Sequence, residues 1–235
     1  AKTSKWTKRI LQVAHALGKQ RLRTYSHKFS PKKFTLPQLF ACLVLKEFMR
    51  LDYRKLSTLL KDAPSLAGVI ELEKIPHFST FQKAAARLLV SRRAQRLLDE
   101  TIQAATDHRV MRKNVALAAI DGTGFESRHI SAYFVRRRNR TCKEGYQTTT
   151  YTRFPSANLL CDCDSHLVLA MVTGRGPGPD DPYFQPTLKQ AASRANIETL
   201  LADAGYDSEA AHVFTREQYG TRTIIPATRG RPTKK

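Results

Sequence analysis

Apolar positions along this chain change their period near residue 110. Before it they recur at three- and four-residue steps; after it they come in short runs bounded by glycine, proline or acid. Trp6, Ile10, Val13 and Leu17, with lysines and arginines between them, predict a basic amphipathic helix from Trp6 to about Gln20. Leu36-Pro37 opens a second helix, with proline in its first turn and Leu39, Leu43, Phe48 and Met49 as its apolar face to about Arg50. Tyr53 to Lys61 gives a third, and Ala63 to Pro76 is a connector with room for a helical turn. Ser79 is a good N-cap for a helix through Leu89, and Ser91 to about Thr106 reads as one more. The polar stretch 107–114 then separates a helical region, 1–110, from a second region, 111–235.

The second region is organised around Val115-Ala-Leu-Ala-Ala-Ile-Asp121-Gly-Thr-Gly-Phe125. Alternate residues of its apolar part are all hydrophobic, so a strand buried on both faces is expected, with Asp121 where it leaves the sheet. Thr199-Leu-Leu-Ala-Asp203-Ala-Gly205 repeats the form: apolar residues, an acid, a glycine. Parallel and adjacent, the two strands would bring Asp121 and Asp203 out together, at the strand ends where ligands gather in α/β folds. Between them, Tyr146 to Tyr151 is β-forming, and Ala157–Cys161 and His166–Val172 predict a hairpin turning through Asp162 and Asp164. A breaker-rich loop, Gly174 to Asp181, precedes a helix from about Pro182 to Ser193. That loop lacks the Gly-Lys-Ser/Thr ending of a phosphate-binding loop. Strand Glu198–Ala202, a helix capped by Ser208 and a short strand Thr223–Pro226 complete an α/β pattern behind a helical region.

Charge adds a partner. Lys and Arg number 40 against 20 Asp and Glu, a formal net charge of +20. An excess of that size attracts polyanions, nucleic acid first. Its distribution strengthens the reading, because Ala1 to Lys46 contains Lys32, Lys33 and other basic residues but no acid. Thr80, Gln82 and Lys83 stand near the start of the helix after Ser79, where a helix-turn-helix presents its reading side chains; a plain helical bundle fits the spacing equally. Arg136, Arg137, Arg138 and Arg140 follow closely on the first acid and would hold phosphates at the mouth of an acidic site. No run of residues is apolar enough to span a bilayer, so a cytoplasmic, nucleoid-associated protein with no membrane partner is expected. Cys161-Asp-Cys163 lacks zinc-knuckle spacing and reads as two small buried thiols.

Two carboxylates in one cleft repel, and a divalent cation relieves the repulsion. Oxygen ligands suit Mg²⁺ or Mn²⁺, and a pair of such ions about 4 Å apart can activate a water or hydroxyl and stabilise the leaving oxygen in phosphodiester displacement.

Ala119-Ile-Asp-Gly-Thr-Gly-Phe125, Ser131-Ala-Tyr133-Phe with the arginines after it, Leu201-Ala-Asp-Ala-Gly-Tyr-Asp207-Ser-Glu209 and Ile224-Ile-Pro-Ala-Thr-Arg229 together resemble the DDE transposases of bacterial and archaeal insertion sequences. Pro76-His-Phe-Ser-Thr-Phe81 is similar to a segment of the helical region ahead of their catalytic domain. The resemblance implies a ribonuclease H-like mixed sheet in which Asp121 and Asp203 are the first two catalytic, metal-binding acids. It also implies cleavage at transposon ends, strand transfer to target DNA, and a homodimer on DNA. Asp207 belongs to the same motif without being assigned to the metal. The third acid of these proteins, a glutamate, lies on a helix after the strand corresponding to Thr223–Pro226, whereas here no Glu follows Glu217. Glu209 and Glu217 lie on the wrong helix to replace it. The expectation is a catalytic domain lacking its C-terminal part, or a catalytically inactive DNA-binding descendant of a transposase.

Overall fold

The computed structural model describes residues 6–29, 31–125, 154–176 and 178–227. It divides into two compact units, 1–104 and 105–235.

The first unit is helical: α1 (Trp6–Arg21), α2 (Leu36–Phe48), α3 (Tyr53–Asp62), α4 (Pro64–Val69), α5 (Phe78–Leu88) and most of α6 (Ser91–Asp107). Its core gathers Leu11, Leu45, Leu56, Leu60, Ile70, Phe81 and Leu88, all fully buried. The start of α2 is closed by a capping box. Thr35 Oγ1 accepts from the Gln38 amide at 3.3 Å, and Gln38 Oε1 accepts from the Thr35 amide at 2.9 Å. The Gln38 amide group also donates to the carbonyls of Ile70 and Glu71, tying α2 to the end of α4. Thr35→Ala is expected to lower stability by about 1 kcal/mol, measured by denaturant titration.

Two helical expectations change in register. The buried face of α1 is Leu11, Ala14, His15 and Gly18, whereas Trp6 and Val13 are about three-fifths exposed. Gly18 lets this face approach α2 closely, since a Cβ there would stand 3.1 Å from Pro37 Cα. In α2, Phe48 and Met49 fall outside the core, since the helix ends at Phe48 and Arg50 turns away with φ 52°. The cap of α5 is His77, not Ser79. Its Nδ1 accepts from the Ser79 amide, and Ser79 lies one residue inside the helix.

His15 is buried, and its pKa is held below the usual histidine value, first by burial and then by Lys19, with Glu71 opposing. A folded pKa below the unfolded one means that the unfolded chain binds more protons as pH falls through about 6.5. The stability contributed by neutral His15 is therefore full above that pH and lost below it. The melting temperature should fall between pH 7.5 and 5.5, and more steeply in the parent than in His15→Gln. Identical slopes would assign the pH dependence elsewhere.

The second unit is a five-stranded mixed sheet. Its strands are β1 (Asn114–Gly124), β2 (Phe154–Asp162), β3 (Val168–Gly176), β4 (Asn196–Leu201) and β5 (Arg222–Ile224), in the order β3-β2-β1-β4-β5. β1, β2 and β3 form an antiparallel meander, while β4 and β5 run parallel to β1 through helical crossovers. This is the ribonuclease H-like arrangement that the resemblance implies. The crossover helices, α7 (Asp181–Ala192) and α8 (Glu209–Tyr219), pack on each other and on the sheet, α7 against β2 and β3 and α8 against β5. Under them lie Ala118, Ile120, Leu160, Ala170 and Leu200, all essentially inaccessible. β1 is not buried on both faces, because Leu117 on its other face is 38% exposed. The hairpin turn is fixed by Asp162, whose carboxylate accepts from the amides of Asp164 and Ser165. Cys161 and Cys163 are free but only half-buried, since β2 ends at Asp162 and Cys163 falls in the turn.

Candidate active site

The site begins with strand pairing. β1 and β4 are hydrogen-bonded in parallel from Asn114 opposite Asn196 to Ala119 opposite Leu201. Asp121 and Asp203 each stand two residues beyond that last rung, so the two acids leave adjacent strands at one level. β1 continues to Gly124 on the strength of its pairing with β2, with Asp121 opposite Leu159. β4 stops at Leu201, and Asp203 caps the short 3₁₀ turn Ala204–Tyr206. Asp121 therefore lies within its strand and not at its exit, while Asp203 lies in the turn.

Each carboxylate is oriented by its own backbone. Asp121 Oδ1 accepts from the Gly122 amide at 2.8 Å, and Asp203 Oδ1 from the Gly205 amide at 3.0 Å. A carboxylate has about four acceptor positions, so one such bond leaves each acid capacity for a further partner.

A third acid stands in their field. Asp180, just before α7, has its carboxyl raised above the usual range by burial first, then by the charge of Asp203, then by that of Asp121. It packs against Gly122, where a Cβ would stand 2.6 Å from Asp180 Oδ1 and 3.2 Å from Asn158 Oδ1. Glycine is required there because the space that a side chain would take holds these two polar groups. In sequence, Asp180 was concealed inside the breaker-rich loop. Its one signal was that glycines and an acid again follow a strand.

Behind the acids lies a buried polar pair that sequence reasoning also missed. Tyr206 is completely buried and donates its hydroxyl to Asn158 Oδ1 at 2.6 Å. Asn158 sits on β2 opposite Gly122 and is itself inaccessible. Its Nδ2 has no partner among the described residues. Burial, followed by the charges of Asp180, Asp121 and Asp203, pushes the Tyr206 phenol far up, so it remains a donor. Phe184 of α7 packs against its ring at 5.8 Å between centroids.

The Asp203 turn is held at two further points. Ser208 Oγ donates to Asp181 Oδ1 at 3.0 Å, joining the turn to the start of α7. Asp207 lies 3.7 Å from His212 Nε2, and His212 Nδ1 is 2.5 Å from Thr223 Oγ1 on β5. Asp207 thus faces a histidine, and Glu209 and Glu217 are on α8.

The structure does not bring every candidate residue together. Thr80, Gln82 and Lys83 are on α5, and Lys32 and Lys33 are exposed in the turn ahead of α2, all in the helical unit. Arg136, Arg137, Arg138 and Arg140, and the predicted strand at Tyr146–Tyr151, lie outside the described residues. Among the described residues, no three His, Cys, Asp or Glu side chains are grouped closely enough to enclose a metal ion. The donor set nonetheless fits a hard divalent cation, being all carboxylate oxygen and mutually repulsive enough to shift Asp180.

A five-stranded mixed sheet of this order, with two acids level on adjacent strands, is the frame of a ribonuclease H-like domain. Within it, residues 116–235 match the family described as "Transposase DDE domain", just over half of the chain, and the chain belongs to that family. No curated protein matches it by sequence. Among solved structures it is similar to the Mos1 mariner paired end complex with Mn, at 12% identity over 94% of this chain and 67% of that one, with a TM-score of 0.29. It is also similar to the Mos1 Strand Transfer Complex, at 10% identity over 97% and 78%, with a TM-score of 0.30. Among the described residues, no helix is long and apolar enough to cross a membrane.

Proposed function

We propose that this protein is a DNA transposase that cuts at the ends of its element and joins the freed 3′-hydroxyl to target DNA. The observation that carries the reading is the placement of Asp121 and Asp203 two residues beyond one rung of adjacent parallel strands. In this reading the two acids hold Mg²⁺ or Mn²⁺, and Asp180 adds a third negative charge that strengthens the pull on a cation. When bound, the metal would supply an activated water or hydroxyl and charge stabilisation at the leaving oxygen. The chain's own part is orientation: backbone amides fix one oxygen of each acid, and the Tyr206–Asn158 pair fixes the turn behind Asp203. Lys32, Lys33, Thr80, Gln82, Lys83 and the arginines at 136, 137, 138 and 140 are the proposed DNA contacts, on a homodimer bound to DNA.

A labelled duplex carrying an element end, incubated with Mg²⁺, should be nicked at the 3′ end and then joined to a second duplex. Both products should vanish with EDTA. The same assay separates this from a second reading, a DNA-binding protein without catalysis. Tight binding with no Mg²⁺-dependent product would establish that one instead.

A further inference from the structure

Six arginines of the helical unit, Arg21, Arg23, Arg87, Arg92, Arg93 and Arg96, line one cavity of about 770 Å³. Its walls are the end of α1 with the segment after it, the end of α5 and the start of α6. Two of the six have structural work. Arg21 pairs with Glu100, and Arg93 Nη1 donates to the Arg87 carbonyl at 2.6 Å, closing the last turn of α5. Arg23, Arg87, Arg92 and Arg96 have no carboxylate partner among the described residues. Asp99 stands with Arg96 at the adjoining hollow, but four guanidinium groups without an ion pair around one hollow still repel one another, and an anionic ligand removes that cost.

We infer that this cavity seats consecutive phosphates of a DNA strand, at a site separate from the acids and from Thr80, Gln82, Lys32 and Lys33. Three observations select that ligand. Every cation in the wall is arginine and none is lysine; the guanidinium fork binds phosphate oxygens in pairs where an ammonium offers a point charge. The lining also includes Leu22, Leu36 and Leu97 with Tyr25, an apolar surface suited to the sugar rings that accompany a backbone phosphate. Arg87 lies one helical turn beyond Lys83 on α5, so a strand touching Lys83 in the middle of that helix is carried along the same side into the cavity. The inference rests on the reading that DNA is the partner, and places a main electrostatic anchor at residues that reading did not name.

The test is binding of the full chain to a fluorescein-labelled duplex, by anisotropy, between 50 and 200 mM NaCl. The parent is compared with Arg92→Gln/Arg96→Gln, Arg92→Lys/Arg96→Lys and Lys32→Gln/Lys33→Gln. Arg92 and Arg96 are exposed and the Arg93 closure of α5 is untouched, so all variants should keep the parent's circular dichroism. If each arginine holds one phosphate, the double glutamine variant loses about 1.8 from the log–log salt slope. Over a fourfold salt range, parent affinity then falls about 12-fold more than the variant's. The double lysine variant should restore the slope with weaker binding at every salt concentration. A parent slope in the glutamine variant, with the slope lost in Lys32→Gln/Lys33→Gln, would overturn the cavity while leaving DNA as the partner. A parent that binds the duplex without salt dependence would overturn both. Inorganic tripolyphosphate that binds the parent but not the glutamine variant, with duplex affinity equal in the two, would make this a small-polyphosphate site and also overturn the inference. Failure of Mg²⁺-dependent cleavage leaves these readouts unaffected.

Discussion

Asp203→Asn is expected to slow Mg²⁺-dependent cleavage of an end-bearing duplex by about three orders of magnitude or more while leaving the melting temperature close to that of the parent. The magnitude follows from the part a metal plays, since charge stabilisation of several kcal/mol converts to tenfold for every 1.36 kcal/mol. The unchanged melting follows from the turn: an amide oxygen still accepts from the Gly205 amide, so the 3₁₀ turn stays closed and only the charge is removed. Asp121→Asn should behave alike, its amide oxygen replacing the acceptor of the Gly122 bond. The double variant should be little slower than either single one, because groups that serve one metal site fail together. Single-turnover cleavage and thermal melting on the same preparations decide the matter. A parent rate in either asparagine variant would remove the metal assignment.

Tyr206→Ala is expected to cost about 3–5 kcal/mol, as truncation of a buried aromatic residue does, and Tyr206→Phe about 1–3 kcal/mol. The phenylalanine variant separates packing from hydrogen bonding. It keeps the ring against Phe184 but leaves Asn158 Oδ1 without its donor, in a side chain whose Nδ2 is already unpartnered among the described residues. Asn158→Leu with Tyr206→Phe should recover much of the loss, since removing both members of a buried polar pair is milder than orphaning one. Denaturant unfolding of the four proteins measures it. A Tyr206→Phe protein as stable as the parent would show that the hydroxyl does not hold the turn behind Asp203.

Much of this architecture is legible in the residues because local signals agree with the tertiary outcome. Ser208 is read as a cap and does cap its helix, whereas Ser79, read likewise, lies inside α5, whose cap is His77. The acid-glycine repeats at 121 and 203 mark one level of two paired strands. What failed did so where packing overrode local pattern. The apolar stripe of α1 was read from Trp6, Ile10, Val13 and Leu17, but the face that meets α2 is the one carrying Gly18, where the helices approach closely. Asp180 and Asn158 were missed for a different reason. Each matters through a neighbour distant in sequence, Gly122 for one and Tyr206 for the other, and periodicity within a segment carries no trace of such contacts.

The strand pairing between β1 and β4 has a consequence for how such a chain can change. Since the backbone ladder aligns the two acids, loops joining the elements between them can lengthen or shorten without altering that alignment. Loop entropy grows only logarithmically, about 0.6 kcal/mol for each doubling. Insertions between the first acid and the hairpin can therefore vary while the level of the two acids is kept.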